Sequence, residues 1–181
     1  MKALKWTLII VFGLGILGFL GFQFMIYQTK KASPEATVVY EGEDITLSVN
    51  YCRPYKKGRK IFGELVPYGE VWRTGANEPT TFMTNKDITI EGVKLKAGKY
   101  TLWTIPQETQ WTIILNSKMY DWGVNWDEKA SRDPMYDVLR VNVPSVPTKE
   151  VVEQFTIEFI YHVNMVMKWD DTEVIVPILT Y

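Results

Sequence analysis

An uncharged apolar run near the N-terminus constrains this chain more than any other feature. Residues 6–27 read WTLIIVFGLGILGFLGFQFMIY, which is 22 residues without a charge. At about 1.5 Å of rise per residue, a helix of this length crosses a hydrocarbon layer of roughly 30 Å. Trp6 and Tyr27 stand at its two ends, where amphipathic rings prefer the headgroup region of a bilayer. We therefore predict one membrane-spanning helix at about 6–27.

A cleaved signal peptide is the alternative interpretation of this run. Signal peptides usually carry an apolar region of about 7–15 residues, followed by a small-residue cleavage site. Here the run is longer and is followed by Gln-Thr-Lys-Lys at 28–31, which favours an uncleaved anchor. Lysines flank the run on both sides, so the positive-inside rule gives a near tie. Because a large domain behind an N-terminal anchor is more often exported, we expect the domain on the extracytoplasmic (periplasmic) side of the cell membrane.

The part of the chain after the anchor, about 150 residues, has the usual size of one domain. All 21 acidic residues but only 16 of the 20 basic ones follow residue 31, which gives this part a net charge of −5. An acidic domain without a basic tract is a poor candidate for nucleic-acid binding. Cys52 is the only cysteine, which excludes an intrachain disulfide. We divide the chain into an anchor at 1–31, a linker at 32–36 and a domain at 37–181.

The sequence of this domain alternates with period two, and turn residues recur along it. Apolar side chains at 45, 47, 49 and 51 share one face of a predicted strand, and no segment shows the pattern of a long amphipathic helix. Short runs of this kind predict an all-β fold, an antiparallel β-sandwich of jelly-roll type. We expect turns at 91–92 and 170–172, and an edge position for Pro177. The predicted strands are 44–51, 80–84, 88–95, 99–105, 111–115, 137–143, 154–161, 164–169 and 173–179.

A segment with little periodicity, residues 51–81, interrupts the alternation. It concentrates glycine, proline, arginine and aromatic residues in YCRPYKKGRKIFGELVPYGEVWRTGANEPTT. Further signals follow at 97–100 (AGKY), 105–106 (IP), Trp111, Trp169 and 176–178 (VPI). Together these residues resemble the bacterial domain-of-unknown-function family 2911. The resemblance implies a small, exported envelope protein and no established activity; where the family usually carries serine before the Arg-Pro pair, this chain has Cys52.

The same segment holds the side chains that we consider for ligand binding. The planar fork of arginine suits a carboxylate or phosphate, and glycines let the backbone approach a ligand closely. We therefore consider a small polar or anionic ligand, a glycan or an envelope protein as the partner. In the structural alternative, Arg73 pairs with Glu70 or Glu78 and fixes a long connection over the core. The candidate ligand-binding residues are Arg53, Lys57, Arg59, Trp72, Arg73, Asn77 and Glu78.

We interpret the chain as a membrane-anchored binding or structural module of the bacterial envelope. The alternative is an envelope hydrolase, in which Glu78 acts as acid or base and Arg59 or Arg73 stabilises negative charge. We favour the module because signs of catalysis are sparse. His162 is the only histidine, which excludes a zinc site with two or three histidines, and no nucleophile-elbow motif is present.

Two further features have a functional and a structural interpretation. Cys52 beside Arg53 is either a nucleophile with a lowered pKa or a small buried side chain. Trp122 and Trp126 either pack or stack on a ligand such as a sugar. The acidic residues around them, at 121–137, match no calcium-binding loop, and we expect neither a metal nor a cofactor.

Overall fold

A computed structural model describes residues 2–160 and 163–180. The single histidine, His162, and the end of the predicted strand 154–161 lie outside the described residues. The chain divides into two compact units, Met1–Ala32 and Ser33–Tyr181.

The first unit is a helix, α1, which spans Lys2–Ala32. Its apolar side chains point outward all round the helix and are exposed, which is the pattern of a helix made for an apolar environment. The part Leu4–Ala32 is long and apolar enough to cross a membrane, although a signal sequence meets the same criteria. Lys30 and Lys31 lie in the last turn, where positive charge stabilises the helix dipole. The predicted apolar helix is therefore present, and it extends beyond 6–27 at both ends.

The second unit is antiparallel β-structure, and the predicted all-β class is confirmed. Its larger sheet has the order β1-β2-β3-β6-β7-β8-β9 and is curled, and its smaller sheet has the order β10-β4-β5. The jelly-roll arrangement of the predicted sandwich stays a prediction. The strands of the described ranges are β1 Glu35–Glu41, β2 Thr46–Cys52, β3 Thr81–Thr84, β4 Ile88–Ile90, β5 Val93–Leu95, β6 Gly98–Pro106, β7 Gln110–Asn116, β8 Asp137–Ile160, β9 Asn164–Val176 and β10 Ile178–Thr180.

Strand β2 shows why the period-two pattern fixes the register of the sheet. Leu47, Val49 and Tyr51 are all buried on one face, while the residues between them are partly accessible. A shift of one residue would move the whole apolar set to the outer face. β2 pairs with β1 on one side and β3 on the other. Cys52, at the end of β2, therefore has a fixed position opposite Glu35 of β1.

The strands differ from the sequence prediction most clearly at three places. The turn expected at 170–172 is wrong, because β9 runs through it without interruption. Asp170 instead adopts a positive φ of 55°. Its carboxylate accepts a hydrogen bond from Lys56 Nζ at 2.6 Å, and this bond fixes the residue that precedes the turn at 57–58. The predicted strands 137–143 and 154–161 belong to one long strand, β8. β1 begins at Glu35, inside the linker expected at 32–36.

The turn expected at 91–92 is present, because Glu91 and Gly92 both have positive φ between β4 and β5. Pro177 lies between β9 and β10, so the predicted strand 173–179 is divided there. The strand that follows it, β10, is an edge strand of the smaller sheet.

An aromatic cluster fixes the irregular segment 53–80 to the larger sheet. Phe62 and Trp72 come from this segment, whereas Trp111, Phe155 and Trp169 lie on β7, β8 and β9. Phe62 contacts Trp111 with ring centroids 5.0 Å apart, and Trp72 stacks on Trp169 at 5.9 Å and 16°. Burial of such rings is among the largest contributions to core stability. The cluster thereby sets the position of residues 73–78, which follow Trp72.

Candidate functional site

The backbone that follows Trp72 has conformations that residues with a Cβ atom rarely adopt. Thr74 and Asn77 have φ of 55° and 59°, and Gly75 has φ of 152°. For a β-branched residue such as Thr74, positive φ is a true outlier. Hydrogen bonds hold the segment: Trp72 Nε1 donates to Gly75 O at 3.0 Å, and Thr80 Oγ1 donates to Thr74 O at 2.5 Å. Backbone strain of this kind clusters at ligand clamps and active sites.

Cys52 packs directly against this strained segment. A Cβ atom at Gly75 would lie 2.8 Å from Cys52 O, so only glycine allows this approach. The buried thiol donates a weak hydrogen bond to Glu78 Oε2 at 3.6 Å. Burial raises the pKa of the Cys52 thiol, and Glu78 and Glu35 raise it further, although the Asn77 amide lowers it. The interpretation of Cys52 as a low-pKa nucleophile is therefore wrong, and the thiol is a protonated, buried side chain at neutral pH.

Arg73 and Asn77 carry polar atoms that the fold leaves unpaired. Arg73 Nε and Asn77 Nδ2 are buried and have no hydrogen-bond partner among the described residues. The Asn77 amide lowers the pKa of the Cys52 thiol, but Asn77 Nδ2 and the Cys52 sulfur do not meet the geometry of a hydrogen bond. Each unpaired buried donor costs about 1–3 kcal/mol, and such groups in a native fold call for an explanation.

Arg73 also lacks a carboxylate partner among the described residues. Arg73 forms no ion pair with a residue that the structure describes, so the expected pairing with Glu70 or Glu78 is not formed. Burial lowers the pKa of its guanidinium, and the Cys52 sulfur opposes this effect. Arg73 as a whole is still partly accessible, so a ligand can approach it from solvent.

Gly123, in the loop between β7 and β8, lies directly on Arg73. A Cβ atom at Gly123 would overlap with Arg73 Cδ, and it would lie 2.8 Å from Asn77 O. The backbone N–H of Gly123 donates to Asn77 O at 2.9 Å, and Ser131 N donates back to Gly123 O at 3.1 Å. This loop therefore packs against the side chain of Arg73 and the backbone of Asn77. Sequence analysis missed Gly123, although a glycine between Trp122 and Val124 in an irregular stretch is a signal for close backbone contact.

The comparisons with known proteins identify one family. Its model, described as "Protein of unknown function (DUF2911)", matches residues 33–178. The chain belongs to this family. No curated protein and no solved structure matches the chain. Family membership therefore supplies no activity, and a function has to be inferred from the site itself.

Within the family's matched region, Arg53 connects the irregular segment to β8. Its Nε donates to Phe155 O at 3.2 Å, and its Nη2 donates to Thr156 Oγ1 at 2.9 Å. These bonds stabilise the connection between the segment and the sheet. The Nε of Arg73, in contrast, has no hydrogen-bond partner in the part of the chain that the structure describes.

Lys57 and Arg59 lie on an exposed turn of the same segment. Arg59 donates to the carbonyl oxygens of Tyr55 and Lys56 at 2.5 and 3.0 Å, which closes the turn. The backbone N–H of Lys57 donates to the carboxylate of Glu153 at 2.8 Å. Of the seven candidate residues, Arg73, Asn77 and Glu78 gather around Cys52, while Trp72 lies in the aromatic cluster behind them.

The loop at 120–135 uses its polar side chains mainly to hold its own shape. Asn125 Oδ1 accepts from Asp127 N and Lys129 N, both at 3.0 Å, and Asp133 caps the short 3₁₀ helix Pro134–Tyr136. Trp126 is fully exposed, whereas Trp122 is half-buried. Over residues 2–160 and 163–180, no group of three or more histidine, cysteine, aspartate or glutamate side chains is placed to hold a metal ion.

Proposed function

We propose that this protein is a membrane-anchored binding module of the bacterial envelope. In this proposal α1 spans the membrane and the β-unit lies on the extracytoplasmic side. The length and apolar surface of Leu4–Ala32 support the anchor, and the lysines at its end support a boundary with the polar headgroups. A single-pass anchor would keep the β-unit at the membrane in every state.

We expect the full-length chain to stay in the membrane fraction after washing with high salt and alkaline carbonate. The reason is that an uncleaved span of this length inserts effectively irreversibly. Protease added to intact spheroplasts should digest the β-unit, and a chain that starts at residue 33 should be soluble when produced in the cytoplasm. A mature product in the soluble periplasmic fraction that lacks the apolar run would show a signal peptide instead, and a β-unit protected until lysis would reverse the orientation.

We infer further that the ligand site is centred on Arg73 and Asn77. The observation that carries this inference is the pair of buried donors, Arg73 Nε and Asn77 Nδ2, which have no partner in the described structure. A purely structural arginine would normally be bonded as Arg53 is, because an unpaired buried donor is destabilising. A polar or anionic ligand would supply hydrogen-bond acceptors for these two donors.

The variant Arg73→Met tests this inference through stability. We expect it to lose ligand binding while its free energy of unfolding stays equal or rises, by up to about 1–3 kcal/mol, because a buried unpaired donor is removed. Arg53→Met is the matched control, and it should lose about 1–3 kcal/mol because both of its hydrogen bonds are broken. Urea denaturation followed by circular dichroism measures both. If Arg73→Met is destabilised as much as Arg53→Met, Arg73 is a structural brace.

The hydrolase alternative requires a second carboxylate beside Glu78, since glycoside hydrolysis generally uses a pair of carboxyl groups. Glu35 is the candidate, because it lies opposite Cys52 in the β1–β2 register and the Cys52 thiol donates to Glu78. Glu35, however, is exposed on edge strand β1 and accepts a hydrogen bond from Asn50 Nδ2 at 2.8 Å. A general acid at neutral pH usually lies in an apolar environment. Arg59 is bonded to its own turn, which leaves Arg73 as the cation for such a reaction.

A further inference from the structure

We propose that the outer edge of β1 is a docking site for an extended segment of a partner protein, which joins the larger sheet as an additional strand. The segment alternates apolar and polar residues and carries a basic residue at each end. This proposal uses neither Arg73 nor Asn77, so it stands or fails independently of the ligand site inferred above.

The first argument is the direction of the backbone groups of β1. This strand stands at the end of the larger sheet and pairs with β2 on its other side. Beyond one end of β1, Gly42 N donates to Ile45 O at 2.8 Å. Beyond the other end, Arg53 N donates to Pro34 O, also at 2.8 Å. Bonded and non-bonded pairs alternate along an antiparallel ladder, so these two bonds identify the β1 residues whose N–H and C=O groups point away from β2: Glu35, Thr37, Val39 and Glu41.

These outward groups are open to another strand. All four residues are exposed, and no backbone bond from outside the strands reaches them in the part of the chain that the structure describes. Native proteins usually block such an edge with proline, lysine or a bulge. The sequence of β1, EATVVYE, contains neither proline nor lysine, and its register with β2 has no bulge. A regular edge of this kind suits strand addition, in which backbone bonds supply affinity and alternate side chains supply specificity.

The second argument is the apolar inner face of β1. Ala36, Val38 and Tyr40 alternate with the outward residues and are only partly buried against the core. The ring of Tyr40 contacts that of Phe159, which is also partly buried, with centroids 6.1 Å apart. The margin of the core at β1 is thus incompletely covered. Because burial of apolar surface drives association, a strand with apolar residues opposite this face would be stabilised by covering it.

The third argument is the charge of the strand, which decides between occupants. Exposed carboxylates stand at both ends, at Glu35 and Glu41. If two copies of β1 paired antiparallel along their whole length, Glu35 of each copy would lie opposite Glu41 of the other, and like charges directly opposite are destabilising. A segment with lysine or arginine at both ends instead forms a pair of opposite charges at each position. The net charge of −5 after residue 31 also attracts a basic segment.

Isothermal titration calorimetry of the full-length chain in detergent tests the proposal with two capped peptides. In Lys-Val-Thr-Val-Thr-Val-Lys, the lysines lie opposite the carboxylates of β1 and the valines opposite its apolar face, in either strand direction. In Glu-Val-Thr-Val-Thr-Val-Glu, only the charges differ. We expect the glutamate peptide to bind at least about tenfold more weakly than the lysine peptide, which corresponds to ~1.4 kcal/mol.

Charge-reversal variants separate docking at β1 from general attraction to an acidic domain. The double variant Glu35→Lys and Glu41→Lys should reverse the preference, so that the glutamate peptide binds at least about tenfold more tightly than the lysine peptide. The matched control is Glu91→Lys with Glu108→Lys, which changes the net charge equally at exposed residues outside β1. This control should keep the preference of the wild type.

Val39→Pro tests whether the backbone of β1 pairs with the peptide. It removes an outward N–H that β2 does not use, and proline is tolerated at such edge positions. The variant should keep its thermal unfolding transition and bind the lysine peptide at least about tenfold more weakly. Arg73→Met should bind this peptide as the wild type does.

Three results would overturn the proposal. The first is that the lysine peptide does not bind, and the second is that reversal at Glu35 and Glu41 has no greater effect than reversal at Glu91 and Glu108. The third is a dimer in light scattering that Val39→Pro dissociates, which would show that a second copy of the chain occupies the edge. None of these results bears on the ligand site, because that site is tested by Arg73→Met.

Discussion

Replacement of Trp169 by alanine is expected to lower the free energy of unfolding by about 3–5 kcal/mol, the range for deletion of a buried large aromatic side chain. Trp169 has a relative exposure of 1%. Its ring contacts those of Phe62, Trp72 and Phe155, with centroids 5.8–6.2 Å apart. The variant therefore leaves a cavity at the place where the irregular segment meets the sheet. Urea denaturation of the full-length chain, followed by circular dichroism, measures the loss.

Trp126 provides the matched control for this substitution. Its side chain is fully exposed, so Trp126→Ala should change the free energy of unfolding by less than about 0.5 kcal/mol. Trp169→Phe should fall between the two, because it keeps an aromatic ring and removes an indole N–H that lacks a partner in the described part of the chain. Equal effects of Trp169→Ala and Trp126→Ala would show that the aromatic cluster does not anchor the segment.

The variant Gly75→Ala is expected to lose about 3 kcal/mol and, with it, ligand binding. The new Cβ atom would lie 2.8 Å from Cys52 O and 3.3 Å from Thr80 Oγ1, and the first of these is a backbone atom with little freedom to move. The φ of 152° also disfavours any residue with a Cβ atom. Thermal unfolding should show the loss as a lower Tm, and calorimetric titration with the site's ligand should show the loss of binding.

Gly58→Ala separates the two causes of that loss. Gly58 also has positive φ, 71°, but no described atom lies within 4 Å of the Cβ position. This control should cost only about 1 kcal/mol, which is the backbone term alone. The difference between the two variants then measures the overlap with Cys52. If both variants lose the same free energy of unfolding, the end of β2 at Cys52 can shift to accommodate the new Cβ atom, and Gly75 is not required for close packing.

Features that depend on neighbouring residues could be predicted from the sequence. The apolar helix, the buried face of β2 and the turn at Glu91 and Gly92 all follow from local patterns of apolar, polar and glycine residues. The family resemblance likewise depended on linear motifs, and the match over 33–178 confirms it.

Features that depend on distant residues could not be predicted in the same way. Asp170-Asp171-Thr172 has the composition of a turn, but Asp170 is held in β9 by Lys56, which is 114 residues away in sequence. A single sequence gives no sign of that partner. β1 was missed for a local reason, because its first residues, Glu35 and Ala36, read as part of a polar linker, although its partner β2 follows directly in sequence.

In the candidate site, too, the residue types could be predicted from the sequence, but their contacts could not. Composition drew attention to the arginines, but it did not distinguish Arg53, which is hydrogen-bonded to β8, from Arg73, whose Nε has no partner among the described residues. The contact of Gly123 with Arg73 and Asn77 likewise forms only in the folded chain. Cys52 was recognised as a departure from the family, and its proximity to Glu78 became visible only in three dimensions.

The bonds of Tyr51 connect two parts of the β-unit that are far apart in sequence. Its hydroxyl donates to Ile157 O and accepts from Ile157 N, across 106 residues of chain, and β10 pairs with β4 near the very end. Proteins dominated by such distant contacts fold slowly, on the order of milliseconds to seconds. A chain that emerges N-terminus first, from a ribosome or a translocon, therefore completes the hydrogen bonds of Tyr51 only after residue 157 has emerged. During that interval its apolar faces need protection from aggregation, so a holding chaperone in the compartment of synthesis or delivery should raise its yield.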